Sequence, residues 1–236
     1  METKSKIITT ERIGQEQREK LKELIDLYAN YEPNLLMNPD WKIIGKEYYV
    51  PDVLKVLDRI KLGKSYSDLK LIAYKPREYE FETILAWYTA FDGTMPDGKP
   101  MNVVDPKLLV YLDVDRDAES VWQAFVLDSL WCAVMPLWGH AGYNRIRIIL
   151  GPDDLETLPL FEMGCPVEEP IEFTEDMLPY VEWLDDGRAI IHFCYWNDWG
   201  GLFHSHRYVS WPKHGGVVMT RPTHKNLYKY NCGILF

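Results

Sequence analysis

Residues 118–135, AESVWQAFVLDSLWCAVM, offer almost no polar side, with Gln123, Asp128 and Ser129 the main exceptions. Asp115 or Asp117 stands where an N-cap is wanted and Pro136 closes the run, so it reads as a helix. A helix that is apolar nearly all round has no face to turn to water and belongs at the centre of a core. The rest of the chain must wrap it. With 236 residues there is enough chain to do so as one domain over 1–236, with 1–64 as an N-terminal helical subregion.

Residues 11–31 read as a helix, because Leu21, Leu24, Ile25 and Tyr28 recur at helical spacing among Glu and Lys, and Pro33 stops it. A second short amphipathic helix is expected over 52–62, between Pro51 and Gly63. Residues 69–74, 107–114 and 143–150 have strand character, and 79–91 leans the same way on its Thr, Ile, Tyr, Trp and Phe. The stretch 92–106, with its two Asp-Gly pairs, reads as a loop. Residues 188–196 and 202–211 read as strands joined by the hairpin loop Asn197-Asp198-Trp199-Gly200-Gly201. A further strand pair is expected through 216–221 and 227–230. Helices early and strands late make an α+β fold with a mixed or antiparallel sheet, largely from the C-terminal half.

Composition narrows the function classes. Aromatic residues are 14% of the chain and apolar ones 47%, which excludes a disordered acidic tail. The first residues hold no apolar leader core. The longest charge-free run, 129–144, is broken by Pro136, Gly139 and Gly142, well short of the roughly 20 apolar residues a span needs. Cys132, Cys165, Cys194 and Cys232 are widely spaced and read as reduced, buried thiols rather than a disulfide or zinc framework. A soluble cytoplasmic protein is expected.

The charge is unevenly distributed. Residues 151–187 carry 12 Asp or Glu and no Lys or Arg, whereas 199–236 carry Arg207, Lys213, Arg221, Lys225 and Lys229 and no acid. The acidic stretch also holds Pro152, Pro159, Pro166, Pro170 and Pro179, so much of it is expected as extended surface loop. Two arrangements follow. Either the basic region folds onto the acidic one and cancels its field, or the carboxylates face a basic partner. In the second case Asp153, Asp154, Glu168, Glu169, Glu172, Glu175 and Asp176 supply the charge. Trp183 and Trp199 are then the chief aromatic anchors, with Phe161, Phe173 and Tyr180 beside them. Nucleic acid is disfavoured, because phosphate contacts require a basic surface.

One pattern points to metal chemistry. His204-Ser205-His206 on an expected strand puts both imidazoles on one face, with His192 on the neighbouring strand and Asp198 in the connecting loop. Such a set could hold zinc or iron, with His214 and His224 following in sequence. Carboxylates at Asp113, Asp115 and Asp117, with Asp153 and Asp154, could gather Mg²⁺, although helix capping and a turn explain them as well. Phosphate-binding glycine loops, a nucleophile elbow and H-E-x-x-H are absent. The leading expectation is a cytosolic protein-binding module without cofactor, its acidic aromatic face engaging a basic partner. An immunity-type protein that masks the cationic groove of a nuclease is one concrete form. The alternative is a metal-dependent enzyme using His192, Asp198, His204 and His206.

Overall fold

A computed structural model describes residues 5–29, 54–64, 69–74, 83–88, 107–133, 146–158, 171–213 and 215–233. The fold is α+β. Its main sheet has seven strands, all paired antiparallel: β1 (Ile7–Arg12), β6 (Arg147–Ile148), β7 (Tyr180–Leu184), β8 (Ala189–Asn197), β9 (Gly201–Ser210), β10 (Val218–Met219) and β11 (Thr223–Lys229). The order β1-β7-β8-β9-β10 forms the path, with β11 also on β9 and β6 also on β8. Two smaller pairs stand apart: β2 (Ile60–Leu62) with β5 (Leu112–Val114), and β3 (Leu69–Tyr74) with β4 (Thr83–Tyr88). The longer helices are α1 (Gln15–Ala29) and α2 (Ala118–Ala133); a single turn, α3 (Asp153–Glu156), follows β6.

Side-chain alternation along β8 explains its burial from end to end. Ile191, Phe193 and Tyr195 join the main core with Val121, Trp122 and Phe125 of α2, where the Phe125 and Phe193 rings lie 4.4 Å apart. Cys194 and Trp196, pointing the other way, join a second, smaller core with Ile149, Leu202, Tyr230 and Cys232. Both sheet faces are therefore covered around β8, which is why its sequence reads as a nearly unbroken apolar run.

Helix α2 begins at Asp117, whose carboxylate accepts hydrogen bonds from the Ser120 amide at 2.9 Å and the Ser120 hydroxyl at 2.7 Å. This cap answers the choice between Asp115 and Asp117. Every residue from 120 to 127 is buried. Gln123, fully buried, has its amide satisfied: Oε1 accepts from the Arg59 amide at 2.7 Å, and Nε2 donates to Gln17 Oε1 at 2.8 Å and Asp58 Oδ1 at 2.9 Å. A buried amide left unbonded would cost about 1–3 kcal/mol, so these bonds fix how α1 and residues 58–59 meet the central helix.

Several elements differ from expectation. The N-terminal helix starts at Gln15 rather than residue 11, because Ile7–Arg12 is drawn into the sheet against β7; Pro33 lies outside the described residues. Residues 52–62 divide into a helical turn at 54–56 and strand β2, since Ile60 is claimed by Val114 across the β2–β5 pair. Residues 107–114 divide likewise into a 3-10 turn (Lys107–Tyr111) and β5. Within 143–150 only Arg147–Ile148 is a strand among the described residues, and 79–91 is described at Thr83–Tyr88 alone. The loop expected over 92–106 lies outside the described residues. Strands β10 and β11 do not pair with each other; both add to β9, β11 along its first half and β10 at its end.

The β8–β9 hairpin turns where the glycines stand. Gly201 has φ of 91°, and a Cβ there would sit 2.1 Å from the Tyr228 carbonyl oxygen and 2.7 Å from the Tyr230 nitrogen. Both the left-handed backbone and the close approach of β11 exclude a side chain. Gly201→Ala should therefore lower unfolding stability by about 2–4 kcal/mol. Urea denaturation followed by tryptophan fluorescence measures this; an unchanged midpoint would refute it.

Candidate functional site

The acidic stretch is built onto the second core. Leu155, Leu158, Ile171, Phe173 and Met177 are partly buried against Ile149, Cys194, Trp196 and Leu202. Between these anchors the carboxylates of Asp153, Glu156, Glu172, Glu175 and Asp176 are exposed. Apolar residues thus hold the backbone while acidic neighbours face water. Its described residues include α3, a 3-10 turn (Glu175–Met177) and strand β7, while 159–170, with Pro159, Pro166 and Pro170, lies outside the described residues. Glu168, Glu169 and Phe161 lie outside the described residues.

The cations of the C-terminal region are directed elsewhere. Arg207 points to the opposite face of the sheet, where it pairs with Asp128 of α2 at 2.5 Å. Among the described residues none of Arg207, Lys213, Arg221, Lys225 and Lys229 makes an ion pair with the acidic stretch. Two other cations reach it among the described residues, Arg188 at Asp186 and, from β1, Arg12, which meets Asp176 at 3.0 Å and donates to the Glu175 carbonyl at 2.6 Å. Both partners of that ion pair are open to solvent, so it is worth little. At the other end of β7, Asp186 accepts from Arg188 Nε at 2.8 Å and from the Ser5 hydroxyl at 2.5 Å. These bonds, Arg188 foremost, hold its carboxyl well below the usual range.

The other expected partner residues serve the fold. Asp154 Oδ2 accepts the amides of Leu150 at 2.7 Å and Gly151 at 2.9 Å, closing the turn after β6. Trp183 packs on the main core and stacks on Trp211, ring centres 5.9 Å apart. Trp199, half-buried, packs on the second core, with its amide bonded to Asn197 Oδ1 at 2.9 Å.

On the second-core face of the sheet, next to the acidic stretch, the histidines do come together. Register sets His192 opposite His206 and Cys194 opposite His204. The His192 ring lies 5.3 Å from that of His204 and 5.5 Å from that of His206. Tyr180 stacks on His192 at 4.4 Å with planes 5° apart, and Glu182 Oε2 lies 3.0 Å from His192 Nε2. Burial pushes the His192 and His204 rings below the ordinary imidazole range, against the opposing pull of Glu182. The Cys194 thiol beside them is pushed up to about 11, also by burial. It is inert as a nucleophile.

Asp198 does not belong to this cluster. Its carboxylate is 1% exposed and is held by Arg147 at 2.5 and 3.3 Å and by Trp196 Nε1 at 3.0 Å. A buried carboxylate needs such compensation, so it is spent on the hairpin. His224 lies on the main-core face, where Nδ1 meets Tyr195 Oη at 3.0 Å and Ser205 Oγ at 3.2 Å; His214 lies outside the described residues. As the side chains stand, no three His, Cys, Asp or Glu are set to hold a metal ion among the described residues. Sequence reasoning missed Glu182 as the partner of His192, having counted it only as part of the acidic run.

Comparison with known proteins returned nothing: no family model, no curated protein and no solved structure matches the chain. No helix among the described residues is long and apolar enough to cross a membrane.

Proposed function

We propose that the protein is a binding module that presents the carboxylates of the 151–187 stretch to a basic protein partner. One observation carries this reading: the stretch is anchored through Leu155, Ile171, Phe173 and Met177, while Asp153, Glu156, Glu172 and Glu175 stay exposed and without an ion pair among the described residues. Charges fixed in place before contact steer encounter and lose little side-chain freedom on docking. The form that suits this best is an immunity-type protein whose carboxylates stand in for phosphates in the cationic groove of a nuclease.

The test compares the wild-type chain with Asp153→Lys/Glu156→Lys/Glu172→Lys/Glu175→Lys as bait in host extract. These four positions are exposed, so the stability of the variant should stay within about 0.5 kcal/mol per site. A basic protein retained by the wild type, released by moderate salt and lost from the variant is the expected result. A partner held equally by both baits would overturn the reading.

A further inference from the structure

We propose that His192, His204 and His206 form a zinc-binding site on the second-core face of the sheet, with Glu182 as the residue that orients it. This goes beyond the acidic surface and does not depend on it. The argument begins with the His192 ring, which has two distinct nitrogens. Nε2 lies 3.0 Å from Glu182 Oε2, and a carboxylate there takes an N–H, leaving the lone pair on Nδ1. That Nδ1 is buried and has no hydrogen-bond partner among the described residues, in a residue only 9% exposed. A buried acceptor without a partner is costly and calls for an explanation.

The two neighbours supply one. Imidazoles that share a tetrahedral zinc, with Zn–N of about 2.0–2.1 Å, have ring centres about 5 Å apart. The separations of 5.3 and 5.5 Å already match that spacing. Two histidines at i and i+2 of one strand and a third directly across on the next place three donors over one patch of sheet. As the side chains stand the three sets of nitrogens do not converge on one point, so the site requires His204 and His206 to change rotamer, while the register already puts all three rings on one face. A ligating histidine that donates its other N–H to a carboxylate is the usual arrangement around zinc, and Glu182 stands in that place. Lys225, opposite His204 on β11, repels a cation, and Glu182 offsets it. Cys194 is left out of the ligand set because its sulfur packs in the second core. Three protein ligands leave a fourth position for water.

The experiment uses the full chain, stripped with a chelator and dialysed against zinc chloride, with bound metal measured by mass spectrometry and affinity by calorimetry. One zinc per chain is expected. Cobalt(II) in its place should show the visible bands of tetrahedral coordination without a thiolate charge-transfer band. His204→Ala and His206→Ala should each abolish stoichiometric binding, and Glu182→Gln should weaken it about ten- to a hundredfold. His224→Ala, on the other face, should bind as the parent does. Circular dichroism of the zinc-free variants separates loss of the site from loss of the fold, and Glu182→Gln decides where an alanine variant misfolds. A chain that holds no zinc overturns the proposal, as does zinc that survives both His204→Ala and His206→Ala. An unchanged affinity in Glu182→Gln would overturn the assigned role of that residue.

Discussion

Asp128→Ala should destabilise the protein by about 3–5 kcal/mol, and adding Arg207→Met should recover most of the loss. The Asp128 and Arg207 side chains are 15% and 13% exposed and meet at 2.5 Å between α2 and β9. Removing the carboxylate leaves a guanidinium with, among the described residues, only the Thr220 carbonyl, 2.7 Å from its Nε, to replace water. The double variant has no charge to strand and puts an apolar chain against the helix. Guanidinium titrations of the parent, single and double variants measure the coupling. Equal stability of the single and double variants would show that the charge of Arg207 is satisfied without Asp128.

Trp122→Ala should cost a similar amount, about 3–5 kcal/mol, for a different reason. The indole is fully buried in α2, 5.4 Å from the Phe125 ring, and its Nε1 donates to the Gln17 carbonyl at 2.6 Å. Alanine leaves a cavity at the centre of the main core and removes one of the bonds that tie α1 to α2. Trp122→Phe separates the two terms, since it keeps most of the volume while removing the indole bond to the Gln17 carbonyl, which lies within α1 and keeps its helical partner. Its expected cost is about 1–3 kcal/mol. Chemical denaturation of both variants tests this; a phenylalanine variant as unstable as the alanine one would assign the whole effect to the hydrogen bond.

The elements that were legible in the sequence are those set by local pattern. The β8–β9 hairpin follows from two aromatic and β-branched runs around Asn197-Asp198-Trp199-Gly200-Gly201, and the shared face of His204 and His206 follows from period two. What the sequence hides is long-range claim. Ile7–Arg12 reads as a tail running into a helix, and it becomes a strand because Tyr180–Leu184 offers it an edge. That edge was itself masked, since β7 sits in a run read for its acids and prolines. Asp198 looked like a ligand because nothing nearby in sequence explained it. Its charged partner, Arg147, is 51 residues upstream. Glu182 was one acid among many until register set its strand beside His192.

The β1–β7 seam also fixes an order of events during synthesis. Ile7 pairs with Leu184 and Arg12 with Tyr180, so β1 has no partner in the sheet until β7 has been made. At about 5–20 residues per second, many seconds pass between the two emerging from the ribosome. Throughout that interval Ile7 and Ile8 wait on a nascent chain as a short β-prone segment of the kind that chaperones hold. Translation arrested before residue 180 would leave that segment without its place in the sheet.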